Sequence, residues 1–209
     1  MENAQDPGSA AEVTDATQRR SRGRPRSEAA RQAIVAAAAD LVLAGGAEAV
    51  TVEGIAARAG VSKATIYKWW PSGKAVMLEG LLEVTRATMV LPQDGDLETM
   101  LRAHVGALVG VLRDGPAGPL LRALAGQGQS DEATARALLD QWIRPRRVVT
   151  EAALEAAVAR GELRADTDVA VALDQLYAPV YYRLIFGHEA LDDALADRIV
   201  SQLLAGLRA

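Results

Sequence analysis

No cysteine occurs in the 209 residues, which excludes a disulfide-stapled scaffold and any thiolate chemistry. The two histidines, His104 and His188, stand alone, with no HExxH or similar ligand spacing, so no metal site and no cofactor is expected. Aromatic residues make up only 4% of the chain. β-Branched residues are sparse too, and no stretch alternates apolar and polar side chains as a half-buried strand does. No apolar run reaches the ~18 residues that span a bilayer. The first residues are polar and lack a signal-peptide core. A cytoplasmic protein with no membrane partner is expected. Gly128-Gln129-Ser130 begins like a nucleophile elbow, but Glu132 stands where the second glycine belongs and no strand precedes it. Nothing else supports catalysis, so the chain is not read as an enzyme. Lysine is equally scarce: Lys63, Lys68 and Lys74 are the only three, and they fall within twelve residues.

What is present is apolar and helix-forming. Half the residues are hydrophobic, and alanine and leucine dominate, which favours an all-α protein with a sizeable core. The net charge of −4 hides a division. Residues 1–18 carry four acidic residues and no base. Residues 19–74 carry ten basic residues against four acidic, and 75–209 carry thirteen against nineteen. A basic module on an acidic body points to nucleic acid at one end only.

Residues 51–70, TVEGIAARAGVSKATIYKWW, concentrate the information. Thr51 is placed to cap a helix whose Val52, Ile55, Ala56 and Ala59 share one face. Gly60 follows where that helix must stop, because a residue without a Cβ enters a positive φ cheaply. Val61 plugs the turn. Ser62 is a second N-cap, opening a helix whose Ile66 and one of Trp69 and Trp70 point back at the first. Small, glycine and apolar residues at these offsets describe a helix-turn-helix. The alternative is an ordinary helical hairpin in a core. The donors Lys63, Thr65, Tyr67 and Lys68, crowded on the outer face with Lys74 just beyond, favour the DNA reader.

Residues about 27–78 resemble the DNA-binding domain of the TetR (tetracycline repressor) family of transcriptional regulators. The helix pattern around Ile34–Leu41, Gly46, TVEGIAARAGVSKATIYKWW and PSGKAVML carry the likeness. Residues 79–209 resemble that family in length and helical character, with a generic PRR…RGELR…YRLIFG pattern. The resemblance implies an N-terminal three-helix helix-turn-helix domain and a larger C-terminal helical domain for dimerisation and ligand binding. It implies a phosphate at Thr51 and the amide end of its helix. Base edges or nearby phosphates fall to Lys63, Thr65 and Lys68, with Ser62 beside them, and backbone contacts to Tyr67 and Lys74. Arg22, Arg24 and Arg26 of RGRPR form a basic arm, read either as a minor-groove element or as a solvated linker. The implied function is a ligand-responsive repressor that binds a palindromic double-stranded operator as a homodimer and is released by a small apolar or amphipathic effector. A DNA-binding regulator without small-molecule control is the alternative.

The expected organisation is a disordered tail over 1–21, a reader with its arm over 22–78, and a helical body over 79–209. The first helix is expected over Ser27–Ala44, ended by Gly45 and Gly46. In the body, Ser130 is expected to cap a long helix to Arg160 that Pro145 interrupts, and Asp166 or Thr167 to start a helix through Phe186 kinked at Pro179. Leu191, Leu195, Ile199, Leu203 and Leu207 form a stripe on the last helix. With Leu173, Leu176, Val180 and Leu184 it reads either as a dimer surface through the last two helices or as each chain's own core. Gly106 and Gly110 suggest a close helix approach. His104, Trp142, Tyr177 and Tyr181 are the candidates for lining an effector site.

Overall fold

Twenty-six residues, Arg24–Ala49, form one continuous helix, α1. A computed structural model describes residues 24–86, 90–92, 95–115 and 117–209. The tail over 1–21 and Arg22 therefore lie outside the described residues. After α1 come α2 (Val52–Ala59), α3 (Lys63–Tyr67) and α4 (Gly73–Thr85). Then follow α5 (Leu97–Asp114), α6 (Ala117–Gly128), α7 (Glu132–Leu138), α8 (Arg144–Ala159), α9 (Val169–Phe186) and α10 (Leu195–Leu207). Among the described residues the one β pairing is an isolated antiparallel bridge between Leu163 and Arg208. The fold is all-α, as expected, with a small helix-turn-helix unit and a larger helical body.

Several boundaries differ from the sequence reading. The glycines at 45 and 46 stay helical, because a glycine costs a helix only about 1 kcal/mol and α1 packs along α4 and α2. The same helix absorbs Arg24, Pro25 and Arg26, so these three are not extended; Pro25 sits in the first turn, where no donor is needed. Asp131, not Ser130, caps α7, accepting from the Ala133 N–H at 3.1 Å and the Thr134 hydroxyl at 2.6 Å. Asp168, not Asp166 or Thr167, caps α9. Ahead of Pro145 the chain widens into a π-helical turn over Leu139–Ile143 before α8 resumes. A wide turn accommodates the hydrogen bond that proline removes.

The core is continuous from Ile34 in α1 to Leu204 in α10. α1 crosses α4 closely. A Cβ added at Gly80 would lie 2.9 Å from Ala38 Cβ and 2.9 Å from Ala39 N. The Gly106/Gly110 expectation fails at Gly110, which faces open space, while Gly106 makes only an ordinary approach of 3.8 Å to Ala196. In the body α10 packs on α5 and α9. Both leucine stripes face this core: Leu195, Ile199 and Leu203 are buried, as are Leu173, Leu176, Val180 and Leu184. They are the chain's own core and not a free dimer surface, because α10 must cover α5. Among the described residues no helix is long and apolar enough to cross a membrane.

Candidate functional site

The helix-turn-helix is built by local capping. Thr51, in extended backbone, accepts from the Gly54 N–H at 3.0 Å and starts α2. Gly60 ends it at φ 66°, and the Val61 N–H closes back on the Ala56 carbonyl at 3.0 Å. Ser62 accepts from the Thr65 N–H at 3.2 Å, and its Oγ lies 2.9 Å from Thr65 Oγ1. Each cap is worth about 1 kcal/mol. Ile55 and Ile66 are fully buried between the helices and α1. The turn is thereby fixed, and the outer face of α3 with it.

That face carries Lys63, Thr65, Tyr67 and Lys68 together, as the sequence implied. Tyr67 is 53% exposed and Lys68 is exposed. Lys63 leans onto Glu53 of α2, Nζ to Oε1 at 2.5 Å, which lowers the Glu53 pKa and raises that of Lys63. The pair is solvent-exposed, so its contribution to stability is small. An exposed pair of this kind can open for a phosphate. Trp69 is exposed at the end of α3 and Trp70 is buried. That resolves which tryptophan anchors the core. Trp70 donates its Nε1–H to Glu79 Oε2 at 2.5 Å; Arg31 of α1 pairs with the other Glu79 oxygen and lies 5.6 Å over the Trp70 ring. Lys74 sits at the start of α4, half-exposed, 4.0 Å from Asp131 of the body. Arg24 and Arg26 belong to the first turn of α1.

A cavity of about 300 Å³ separates this end of the reader from the body. Trp70, Ser72 and Lys74 line one side, Leu124, Thr134 and Ala137 the other. Deeper in the body, the four effector-site candidates are brought together. His104 Nε2 lies 2.9 Å from the Tyr177 hydroxyl, which also meets Thr150 Oγ1 at 2.7 Å and the Arg146 carbonyl at 3.3 Å. Trp142 donates its Nε1–H to the Tyr181 hydroxyl at 3.1 Å. Burial lowers the His104 pKa, and the nearby Arg146 charge adds to this, although the Val90 carbonyl at Nδ1 opposes it. Burial also pushes Tyr177 up to about 12 and raises Tyr181. All three are therefore neutral near pH 7. His104, Trp142 and Tyr177 are buried, and Tyr181 is half-buried at the edge of the cluster.

The chain matches two family descriptions, "Bacterial regulatory proteins, tetR family" over residues 34–81 and "Tetracyclin repressor-like, C-terminal domain" over residues 91–203. The chain belongs to the TetR family of transcriptional regulators. It is 37% identical over 188 residues to the HTH-type transcriptional regulator YdeS of Bacillus subtilis (strain 168), covering 90% of this chain and 94% of that one. It is 32% identical over 187 residues to the DNA-binding transcriptional repressor TetR of Mycobacteroides abscessus, covering 86% and 94%. The crystal structure of the TetR family transcription regulator SCO0332 superposes with a TM-score of 0.79 at 36% identity, covering 86% of this chain and 99% of that one.

As a TetR-family chain the protein is a DNA-binding regulator, and one feature of its body escaped the sequence reading. Arg146, in the PRR of the generic pattern, is almost wholly buried at 1% exposure beside His104 and Tyr177. The only signal was an arginine at a position where α8 turns inward. An exposed apolar surface on α9 was also missed. Val171, Tyr182, Ile185 and Phe186 follow helical spacing on the outer side of α9, and Phe186 is 69% exposed.

Proposed function

We propose that the protein is a transcriptional repressor that binds a palindromic operator as a homodimer and releases it when a small molecule enters the body. The observation that carries this reading is the capped, basic outer face of α3, joined through α4 to an acidic body with a closed polar cluster inside. Thr51, with the free amides of α2, would hold one phosphate, and Ser62, Lys63, Thr65 and Lys68 would meet base edges or adjacent phosphates. Tyr67 and Lys74 would hold the backbone on either side, with Arg24 and Arg26 of α1, and Arg22 ahead of them in sequence, adding attraction. One reader spans few base pairs. Two copies reading half-sites about 34–36 Å apart, or a multiple, supply specificity. A protein that binds operator DNA would work in the cytoplasm. The dimer would still form at the last two helices, and the exposed apolar residues available there, Val171, Tyr182, Ile185 and Phe186, lie on α9.

The effector would bind among His104, Trp142, Tyr177 and Tyr181. A small apolar or amphipathic molecule suits the leucine-rich surroundings. A structural relative from Bacillus subtilis, the regulator FadR at 16% identity and TM-score 0.63, is itself a complex with stearoyl-CoA; that likeness is one of fold. The closed state of the cluster favours a second reading, a DNA-binding regulator without small-molecule control.

Capture of genomic fragments by the purified protein at ~150 mM salt, followed by sequencing, tests the operator claim. A shared palindrome is the expected result. Binding that is uniform across fragments and lost with salt would mean phosphate attraction alone and would overturn it. On the recovered site, Lys68→Ala is expected to weaken binding by about 1–3 kcal/mol if the lysine reads a base. An effector that saturates the protein yet leaves operator affinity unchanged would overturn ligand control in favour of the second reading.

A further inference from the structure

Arg146 is an unpaired cation inside the body. Its guanidinium lies 3.6 Å over the Trp142 ring, and Nη1 donates to the Trp142 carbonyl at 2.8 Å. Nε and Nη2 are buried and have no partner. Its helix neighbours differ. Arg144 pairs with Asp140, and Arg147 pairs with Asp174. Among the described residues no carboxylate pairs with Arg146; the groups that face it from α5 and α9 are His104, Tyr177 and Tyr181, all neutral near pH 7. A buried charge without a counter-ion costs several kcal/mol. Arginine does not relieve that cost by losing its proton. Only an incoming anion removes it.

We propose that Arg146 is the anchor of the effector site and that the effector is a monocarboxylate on an apolar body. This rests on the ligand-control reading above. The two free atoms, Nε and Nη2, lie on one edge of the guanidinium, the edge that takes two carboxylate oxygens side by side. One cation with one free edge matches one negative charge. A phosphate dianion would bring a second charge that nothing here neutralises. Trp142 holds the guanidinium plane from behind, so the edge is oriented before the ligand arrives. The Tyr181 hydroxyl, which accepts from Trp142, keeps its own proton to donate, and the buried leucines of α5 and α9 supply apolar contact for the remainder. The way in is where the backbone ladder is already interrupted, at the π-helical turn over Leu139–Ile143 and at Pro145.

The test uses the full chain with octanoate, decanoate, benzoate and phenylacetate, their primary amides, and inorganic phosphate. Calorimetric titration and melting temperature are the readouts. At least one acid is expected to bind and raise the melting temperature, with its amide at least tenfold weaker and phosphate inert. Arg146→Met, which removes the buried charge at similar volume, is expected to melt at the wild-type temperature or above and to lose the acid response. Should that variant not fold, Arg146→Lys keeps the charge without the fork and is expected to bind the acid at least tenfold more weakly. The proposal is overturned if no acid binds the wild type, if acids and amides bind alike, if phosphate binds as the acids do, or if either variant binds acid as the wild type does. Operator affinity measured alongside separates the two claims. Acid binding through Arg146 that leaves the operator complex intact sinks ligand control and leaves the anchor. A neutral ligand that releases operator equally from wild type and Arg146→Met does the reverse.

Discussion

Gly80→Ala sets helix propensity against packing, and the structure decides the winner. Alanine in place of an interior glycine favours a helix by about 1 kcal/mol. At Gly80 the new Cβ would lie 2.9 Å from Ala38 Cβ, 2.9 Å from Ala39 N and 3.0 Å from Ala38 C. Carbon atoms rest about 3.5–4.0 Å apart, so α1 and α4 must part by more than half an ångström. Two of the three obstacles are backbone, which no rotamer change moves aside. Overpacking of this kind costs about 1–3 kcal/mol. Parting the helices also thins the contacts of buried Ile34, Ala38, Val76 and Leu81 across the same seam, since a gap of about 0.5–1 Å forfeits a quarter to a half of each contact. The net expectation is destabilisation by about 1–2 kcal/mol, or about 2–8 °C in melting temperature for a chain of this size. Gly110→Ala is the control, because it lies inside α5 and an added Cβ there meets nothing within 4 Å. It is expected to stabilise by about 0.5–1 kcal/mol. Thermal and urea unfolding of both variants read the difference. A Gly80→Ala protein as stable as Gly110→Ala would refute the claim that the α1–α4 seam is closed to a methyl group.

Ser62→Ala removes the cap of α3 and is expected to cost about 1 kcal/mol in urea unfolding, with weaker operator binding because the reader frays. Stability should also depend on pH through His104. Its folded pKa lies below the ordinary 6.5, so the unfolded chain takes a proton that the folded chain refuses; stability is full above about 6.5 and falls as pH drops below it. His104→Gln should flatten that limb, and an unchanged slope would show that His104 is not its source. At the alkaline end Tyr177, raised from 10.0 to about 12, should withdraw stability as pH rises above 10, and Tyr177→Phe should lessen that loss. Tyr182→Glu with Phe186→Glu places charge on the outer side of α9 and is expected to yield monomers by sedimentation; a dimer that persists would move the interface elsewhere.

The reader was legible because its signals are local. Thr51, Gly60 and Ser62 each act on backbone within a few residues, and each sits where its neighbours demanded a cap or a positive φ. What the sequence hid depends on distant partners. Two adjacent glycines argue for a helix end, yet α1 continues because packing on α4 outweighs their cost. Leucines at i, i+4 define a stripe but not the side it faces; α5 covers Leu195, Ile199 and Leu203. Arg146 stood in the sequence only as part of the PRR pattern, since nothing in PRR says that α8 turns it inward. His104, Trp142, Tyr177 and Tyr181 were chosen for their polarity among leucines, and they do meet. The sequence carried no sign that an unpaired cation lay beside them.

The placement of Arg146 would give the proposed ligand control a short physical route. Trp142, stacked under the guanidinium, belongs to the π-helical turn, and α7 lies directly ahead of that turn. α7 packs on α4, with Thr134 and Ala137 facing Trp70, Ser72 and Lys74 across the 300 Å³ cavity. An anion that neutralises Arg146 changes affinity for DNA only if it binds one arrangement of these helices better than another. In the closed arrangement Nε and Nη2 are buried with no room assigned to a partner, whereas an arrangement that admits a carboxylate must shift α8 against α9 or widen the turn. The second change carries α7 with it. Because α4 also holds Trp70 through Glu79, a displacement of α7 reaches α3 through one helix rather than through a chain of loops. On that proposal the unpaired arginine makes the closed state costly without ligand, and the interrupted helix ahead of it is where a second arrangement would begin.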